Sequence, residues 1–480
     1  MTTPSILVID LGTSSLRSSI VDADGMVLAA RQSVIPEIRD SGGLAWDGQL
    51  IAAQVLQDSM ALAQEWKPAG VAIANQRTTA LVWEGDSHVV QGPVLSWSDN
   101  RTARLDRQLR ARGVRMIAGL SASKWRWLLD VCDPDGVRSR AGDLRVGTLD
   151  AWLIWVLTDG NSHVTDYTNA SHTGLFDPGT ENWDTSLAEE LNIPLSALPQ
   201  IIPTQPNGQS ATALPGAPPI LAVIGDQQAS LIGQGCESVG AAKITFGTSG
   251  VLNVVTGAKR LRNPSRAAFA NVVQSSPEGL TYGAEASVLG AGSSIEWLIR
   301  LGILEGAAQI DTLVDPATRS EALFVPALDG IGVPHWNATA GGAFFGLSSA
   351  HGKPEITRAV LDGIVAGTAE IIAQVEQATG QQLRSISIDG GLTKSRAFTS
   401  ILAATIRRPL RLAPAAEATT RGAAILALRA LGAAALSAPL PQSITPLPES
   451  VPADIAMWRD AVDMVLAHTK TGIRRSERKL

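Results

Sequence analysis

Short apolar runs alternate along the chain with longer segments in which apolar residues recur every three or four positions. The runs at 6–10, 71–74 and 220–224 are rich in β-branched residues, which is typical of buried strands. The helical spacing predicts helices at 50–64 and 102–112. This alternation predicts an α/β fold built on a mixed or parallel sheet.

The pattern starts again about half-way along the chain. Gly247-Thr248-Ser249 lies between apolar runs at 242–246 and 251–256, just as Gly12-Thr13-Ser14-Ser15 follows the first run. Two such hairpins predict two related domains that face one another, although so short a match also arises by chance. The Pro- and Gly-rich stretch 203–219 is either a surface loop or the approach to a domain boundary. Later patterns predict helices at 287–301, 354–379 and 419–431 and a strand at 385–391.

Length and charge limit the possible classes of protein. A chain of 480 residues exceeds what one core usually organises, so two domains are expected. A net charge of −6, from 39 basic and 45 acidic residues, gives no overall positive field for nucleic acid. No apolar run is long enough to cross a bilayer, and the basic tail 470–480 is expected to be solvated. We therefore expect neither a nucleic-acid nor a membrane partner.

Cysteine usage and the start of the chain indicate the compartment. Cys132 and Cys236 are too few for a disulfide framework, which suits a reducing cytoplasm. The first residues lack the basic region and cleavage site of a signal peptide. We expect a cytoplasmic protein.

Several familiar glycine motifs are excluded by their spacing. A P-loop needs four residues between its glycines, whereas five separate Gly346 from Gly352, and Pro354 stands where a hydroxyl residue is required. The segment after Gly290 and Gly292 lacks the third glycine of a dinucleotide fingerprint. The six histidines and two cysteines show no zinc spacing.

The remaining polar groups suit a nucleotide phosphate. Tight turns at 12–15 and 247–249 offer N–H groups and hydroxyls to phosphate oxygens, and Arg17 adds a cation. Asp10 can hold a hydrated magnesium ion, which needs few carboxylates. Gly390 and Gly391 would let a nucleotide approach a strand end without a Cβ in the way. An ordinary hairpin turn explains each single tip equally well.

The chain then resembles the FGGY carbohydrate kinases, and among them the glycerol kinases, over nearly its whole length. The resemblance is carried by segments spread along the chain: 75–79 (NQRTT), 147–155 (GTLDAWLIW), 163–171 (HVTDYTNAS), 225–229 (GDQQA) and 342–347 (GAFFGL) with 355–362. The other family signature matches at 121–128 and departs at Val131, where a polar residue is usual. The resemblance implies an actin-like fold of two ribonuclease-H-like α/β domains with ATP in a central cleft. We expect an N-terminal domain at 1–240 and a C-terminal domain at 241–480.

The resemblance also implies roles for residues of this chain. Asp226 is the expected general base for phosphoryl transfer from ATP, although on the residues alone a cap of the helix at 227–233 is the favoured role. Asp10 is the expected magnesium ligand. Ser395 stands where the family often has Asn. The expected nucleotide-binding residues are Gly12, Thr13, Ser14, Ser15 and Arg17 in the first phosphate motif, Gly247 and Thr248 in the second, Gly292 and Glu296 near the nucleotide, and Gly391 and Ser395 in the adenosine motif.

Half of the acceptor pocket matches that of glycerol kinases. Arg77, Trp97, Asp226 and Gln227 occupy positions at which those enzymes hold glycerol. Family members are often oligomers, so a homodimer is a possible assembly.

The other half of the pocket departs from that pattern. The glutamate of glycerol kinases becomes Thr78, the phenylalanine becomes Val251, and the tyrosine falls at Gly119 or in a short deletion before Ser121. A wider pocket with one carboxylate fewer should bind glycerol poorly. We therefore predict a ketose such as a pentulose, or a polyol longer than glycerol, as the acceptor. The alternative is glycerol, and a minor alternative is a non-catalytic actin-like protein that binds sugar and ATP.

Overall fold

A computed structural model describes residues 4–40, 42–114, 119–261, 267–337, 339–413, 417–433 and 442–470 of the chain. The basic tail beyond 470 lies outside these ranges. Among the helices of the described ranges, none combines the length and apolar composition needed to cross a membrane.

The first half of the chain, up to residue 233, supplies fourteen strands and eight helices among the described residues. The strands are β1 (Ile6–Leu11), β2 (Leu16–Val21), β3 (Val27–Ser33), β4 (Glu37–Asp40), β5 (Gly43–Trp46), β6 (Gly70–Asn75), β7 (Leu81–Glu84), β8 (Val94–Leu95), β9 (Leu144–Gly147), β10 (Val164–Asp166), β11 (Phe176–Asp177), β12 (Asn182–Trp183), β13 (Gln200–Ile202) and β14 (Ile220–Gly225). The helices are α1 (Gly48–Trp66), α2 (Ala103–Ala111), α3 (Ser121–Cys132), α4 (Val137–Ala141), α5 (Leu149–Leu157), α6 (Tyr167–Ala170), α7 (Thr185–Glu190) and α8 (Asp226–Gly233).

The second half supplies nine strands and six helices within the described ranges. The strands are β15 (Ala241–Phe246), β16 (Gly250–Gly257), β17 (Phe269–Ser276), β18 (Gly279–Val288), β19 (Leu323–Val325), β20 (Ala343–Phe345), β21 (Ser385–Gly390), β22 (Leu410–Leu412) and β23 (Gln442–Ile444). The helices are α9 (Gly292–Arg300), α10 (Ile310–Leu313), α11 (Lys353–Thr379), α12 (Arg396–Ile406), α13 (Ala418–Ala430) and α14 (Ile455–Lys470).

The first sheet has five strands in the order β14-β6-β1-β2-β3. β1, β2 and β3 form an antiparallel meander, whereas β6 is parallel to both β1 and β14. Leu7 and Ile9 face the core formed with α1 and α5, and Ile6 and Val8 face the opposite core. Burial on both faces explains why these strands are continuous apolar runs.

The second sheet repeats this arrangement. Its order is β17-β18-β16-β15-β21-β22-β23, in which the antiparallel ladder β18-β16-β15 continues into the parallel strands β21 and β22. The strands β15, β16, β21 and β22 therefore correspond to β1, β2, β6 and β14. The predicted two-domain α/β fold with a repeated hairpin is confirmed. Both hairpin tips lie at the same edge of their sheets as the ends of the parallel strands.

One helix of the second half packs on the first sheet. Residues 423–428 of α13 share a core with Ile6, Val8 and Ile224. The helix also crosses α8 at very short range: a Cβ on Gly422 would lie 1.8 Å from the carbonyl oxygen of Ala229, and one on Gly233 would lie 1.9 Å from that of Ala418. Only glycine at both positions allows the backbones to come this close.

Two local predictions are resolved by the structure. The stretch 203–219 leads into β14 of the first sheet, so it is a loop within the first half. The helix predicted at 287–301 begins only at Gly292, because Ser287 belongs to β18 and pairs with Val251 of β16. Pairing with a neighbouring strand, and not the spacing of apolar residues along the chain, sets the conformation here.

Candidate active site

The first hairpin tip is tied to the end of β6. The Gly12 N–H donates to the carbonyl oxygen of Ser15 across the turn at 3.0 Å. The Thr13 hydroxyl donates to Oε1 of Gln76 at 2.9 Å and accepts from Nε1 of Trp97 at 3.1 Å. Ser14 is exposed at the tip. The expected phosphate loop and part of the expected acceptor pocket are therefore one connected structure.

Asp10 and Arg17 lie opposite one another where β1 and β2 approach this tip. Arg17 forms an ion pair with Glu417, the residue that precedes α13. Burial and, to a smaller extent, the charge of Asp226 raise the pKa of Asp10 to about 7, against the opposing charge of Arg17. The carboxylates of Asp10 and Asp226 repel one another, and Arg17 offsets their negative charge only in part. Such a pair suits the binding of a divalent cation.

The second hairpin tip contacts the start of α9. The Gly292 N–H donates to the Gly247 carbonyl oxygen at 3.0 Å, and the Ser293 N–H donates to that of Thr248 at 3.1 Å. Glu296 lies one turn further along α9 and is exposed. The structure therefore brings Gly247, Thr248 and Gly292 together.

The expected adenosine motif follows β21. Gly390 has φ 98°, and a Cβ there would lie 2.3 Å from the carbonyl oxygen of Phe246. Gly391 is exposed and begins a short 3₁₀ turn. The Ser395 hydroxyl caps α12: it accepts from the Phe398 N–H at 3.1 Å and donates to Asp311 at 2.6 Å. That hydroxyl is thus already engaged, and a role for Ser395 in binding adenosine stays a prediction.

Asp226 opens α8 directly after β14. The cap position belongs to Gly225, and Oδ1 of Asp226 accepts from the Gln227 N–H at 2.7 Å. Burial raises the pKa of the Asp226 carboxyl, whereas Arg77 and the Gln227 N–H lower it. Asp226 is therefore not the helix cap. It is a partly exposed carboxylate of raised pKa beside a cation, and such a group is able to accept a proton.

Arg77 is the cation beside Asp226. Its Nε lies 3.5 Å from Oδ1 of Asp226, and its Nη1 lies 2.7 Å from Oε2 of Glu285. Nη1 also contacts Nε2 of His172. Nδ1 of His172 faces the Thr168 carbonyl oxygen at 2.9 Å, so the neutral ring carries its proton there and presents the Nε2 lone pair to Arg77.

A buried lysine anchors the backbone at Thr78 and Trp97. Nζ of Lys124 donates to the carbonyl oxygens of Thr78 at 3.2 Å and Trp97 at 3.3 Å. Burial lowers the pKa of Lys124 to about 7, while Asp99 and Asp106 act in the opposite direction. Thr78 itself has φ 60°, and the Trp97 side chain is half exposed.

Gln227 faces the second sheet. Its Oε1 accepts from Nζ of Lys243 at 2.7 Å, and that ammonium also donates to the Thr245 hydroxyl at 2.9 Å. At Gly119, one of the two places where the tyrosine position of glycerol kinases could fall, φ is +75° and a Cβ would meet no atom within 4 Å. Among the described residues, nothing therefore fills the space directly beside Gly119.

A buried polar network supports the acceptor side. The Gly225 N–H donates to the Thr168 hydroxyl at 2.8 Å, and that hydroxyl donates to Asp166 at 2.8 Å. Asn169 and Asn75 exchange side-chain hydrogen bonds at 2.9 and 3.2 Å. The network joins the residue before Asp226 to the end of β6, which explains what the distinctive stretch 163–171 does.

Sequence reasoning missed several groups of this site: Lys124, His172, Lys243 and Glu285. Each is a charged or ionisable residue among largely apolar or small neighbours, as Glu285 is within β18. Such a residue is rarely buried without a partner, and that signal could have found it. Within the described residues, no cluster of three or more His, Cys, Asp or Glu side chains could hold a metal ion.

Comparison with known proteins decides the family. The profile of the FGGY family of carbohydrate kinases, N-terminal domain, matches residues 5–233, and the profile of the C-terminal domain matches residues 242–431. The chain belongs to the FGGY family of carbohydrate kinases. This kinase uses ATP as its co-substrate and phosphorylates a small sugar or polyol.

Curated relatives cover most of the kinase. It is 36% identical to a glycerol kinase of Geobacter sp. (strain M21) over 447 residues, which is 88% of this chain and 89% of the relative. It is 35% identical to a glycerol kinase of Thermus brockianus over 455 residues, or 90% of each chain.

Solved structures share its fold. Plasmodium falciparum glycerol kinase with ADP aligns over 98% of both chains with a TM-score of 0.88 and 23% identity. A ligand-bound xylulose kinase from Lactobacillus acidophilus aligns over 98% of both chains with a TM-score of 0.81 and 22% identity. The expected actin-like fold is confirmed.

Proposed function

We propose that this kinase transfers the γ-phosphoryl group of ATP to a hydroxyl of glycerol. The observation that carries this proposal is that the curated relatives described above, which match nearly the whole chain, are glycerol kinases. Arg77, Trp97, Asp226 and Gln227, which glycerol kinases use for glycerol, are retained. Glycerol was the alternative on the sequence alone, and the relatives favour it over a longer polyol or a ketose.

Asp226 is proposed as the general base. Its carboxylate would take the proton of the acceptor hydroxyl while the acceptor oxygen forms a bond to the γ-phosphorus. The bond from that phosphorus to the bridging oxygen breaks, and ADP leaves. Burial raises the pKa of the Asp226 carboxyl and so makes it more basic, whereas the charges of Arg77 and Lys243 act to lower that pKa.

The nucleotide would lie between the two hairpin tips. The proposed contacts of its phosphates are the turns at 12–15 and 247–248 with Arg17, and Gly292, Glu296, Gly391 and Ser395 are proposed near the nucleoside. Asp10 is the proposed magnesium ligand, because burial and the negative charge of Asp226 both raise the pKa of its carboxyl, and a bound cation would offset that charge. A magnesium ion there would neutralise charge on the phosphates.

A longer acceptor is the second candidate, because no side chain stands at Gly119, one of the two places where the tyrosine of glycerol kinases could align, and a Cβ there would meet nothing within 4 Å. Thr78 and Val251 are also smaller than the residues of glycerol kinases. A pentulose or a longer polyol would fill this space.

The experiment is a panel of acceptors assayed by ADP release: glycerol, tetritols, pentitols, pentuloses and hexuloses. Turnover with glycerol ahead of the others supports the proposal, and turnover with a ketose or longer polyol ahead of glycerol overturns it. Asp226→Ala should abolish acceptor-dependent turnover and leave ATP binding intact, as followed by calorimetry. A variant that still turns over would disprove Asp226 as the base.

We further propose a domain boundary at residues 240 and 241, a cytoplasmic location and a homodimer. The boundary is supported by the two family profiles, which end at 233 and begin at 242. Sedimentation of the purified chain would test the dimer.

A further inference from the structure

Arg77 lies between two carboxylates that come from different sheets. It follows β6 of the first sheet, and its shorter contact is with Glu285 of β18 in the second sheet, at 2.7 Å. Its contact with Asp226 is longer, at 3.5 Å. The carboxylate that holds the guanidinium is therefore not the proposed general base.

Glu285 is ionised where it lies. Burial acts to raise its pKa, but the charge of Arg77 and the contact with His172 outweigh burial and hold the pKa well below its usual range. Nε2 of His172 lies 3.9 Å from Oε2 of Glu285. Burial and the charge of Arg77 lower the pKa of His172, so it stays neutral. A neutral ring does not compete with Arg77 for the Glu285 carboxylate.

Two carboxylates compete for one guanidinium at this point. A planar guanidinium binds a carboxylate best through two parallel N–H···O bonds, and a buried cation pairs with the nearest available anion. Without Glu285, Arg77 would have Asp226 as its one close carboxylate among the described residues. Full pairing would occupy the oxygens of Asp226 that must accept a proton.

We propose that Glu285 is a positioning residue that draws Arg77 away from Asp226. One edge of the guanidinium is anchored on Glu285 and His172, so the carboxylate of Asp226 stays accessible to the acceptor hydroxyl. This inference rests on the proposed role of Asp226 as base. With Glu285 in this position, the second sheet contributes to the acceptor site as well as to the proposed nucleotide site.

The test compares Glu285→Gln, which keeps the shape without the charge, with Glu285→Asp, which keeps the charge. Pairing of Arg77 with Asp226 would block the proposed general base, so Glu285→Gln should lose on the order of 100-fold in kcat with glycerol. The KM for ATP should not change, and Glu285→Asp should recover part of the loss. A matched control is Glu376→Gln, which breaks the 2.7 Å ion pair with Arg408 in the same half of the chain.

A role in stability alone would give a different result. Glu285→Gln and the control would then lose similar thermal stability and keep similar kcat, which would overturn the proposal. If Glu285→Gln does not fold, the kcat of Glu285→Asp decides: the shorter side chain cannot hold Arg77 as closely, so an unchanged kcat overturns the proposal.

Crystal structures provide a readout that does not depend on the acceptor. In Glu285→Gln, Arg77 should move onto Asp226 and form two hydrogen bonds with it. In Glu285→Asp, which keeps the charge on a shorter side chain, Arg77 should move part of the way towards Asp226. A guanidinium that stays at its present place overturns the proposal, even for a protein inactive with glycerol. If the wild type prefers another acceptor, the glycerol proposal fails, and the kinetic test of Glu285 proceeds with that acceptor.

Discussion

The N–H of Gly292 donates a 3.0 Å hydrogen bond to the carbonyl oxygen of Gly247. This hydrogen bond forms a backbone junction between the second hairpin tip and the first residue of α9. A Cβ at position 292 would lie 2.4 Å from that oxygen and 3.1 Å from its carbon. Both atoms belong to the backbone, so they cannot give way as a flexible side chain would.

We predict that Gly292→Ala separates α9 from the second tip. Relieving a backbone overlap of this size costs about 1–3 kcal/mol. The proposed phosphate and nucleoside contacts would shift apart, so the Kd for ATP should rise about tenfold or more while the acceptor KM changes little. Calorimetric titration with ATP, together with steady-state kinetics, measures both.

The matched control for this prediction is Gly306→Ala. Position 306 has an extended backbone, and a Cβ there would meet nothing within 4 Å. The control should bind ATP as the wild type does. Equal ATP affinity in both variants would show that the junction does not shape the nucleotide site.

A second prediction concerns the acceptor side. Thr78→Glu restores the carboxylate that glycerol kinases have at this position. It also replaces a β-branched residue at φ 60°, where branching is costly. A carboxylate that accepts hydroxyl hydrogen bonds should lower the KM for glycerol about tenfold. Steady-state kinetics with glycerol at saturating ATP measure this change.

Thr78→Gln separates charge from size in that experiment. It has the same length as the glutamate variant and no charge, so its KM for glycerol should fall less. If Thr78→Glu raises the KM instead, Glu285 already supplies enough negative charge at Arg77.

A third prediction uses the titration of Lys124. In the folded protein burial lowers its pKa to about 7 from the usual 10.5, so unfolding takes up a proton between these values. The free energy of unfolding should therefore rise with pH across this window, by up to about 1.4 kcal/mol per pH unit. Lys124→Met should lack this contribution, and denaturant unfolding from pH 7 to 10 would show the difference from the wild type.

Lys353→Met is the control for that measurement. Lys353 also donates to a backbone carbonyl oxygen, that of Gly302 at 2.8 Å, but it is exposed. It should keep the slope of the wild type. The same slope in Lys124→Met would mean that Lys124 titrates near its usual pKa. Lys124→Met should also raise the acceptor KM, because Thr78 and Trp97 lose a shared anchor.

The sequence predicts the strands and turns that depend on the pattern of neighbouring residues in the chain. Strands buried on both faces are continuous apolar runs, so the sequence predicts β1, β6 and β14, and the two Gly-Thr-Ser tips follow from the predicted hairpins. Asp226 could be placed just past a strand end, although only the family resemblance favoured a base over a helix cap. Its position as the first residue of α8 comes from the structure.

Contacts between distant segments could not be predicted in this way. Glu285 and Arg77 are separated by more than two hundred residues, and no local pattern indicates that they meet. Ser287 was assigned to a helix because its own neighbours permit one, whereas its conformation is set by pairing with Val251. Lys124 likewise binds carbonyl oxygens of two segments that precede it in the chain.

The packing of α13 on the first sheet has a consequence for protein engineering. A gene fragment that stops at residue 240 would encode the first sheet without the helix that covers Ile6, Val8 and Ile224. The complementary fragment would carry that helix with its apolar side uncovered. The two halves are thus not interchangeable modules: a chimera that exchanges them between relatives must transplant α8 and α13 as a matched pair, glycines included.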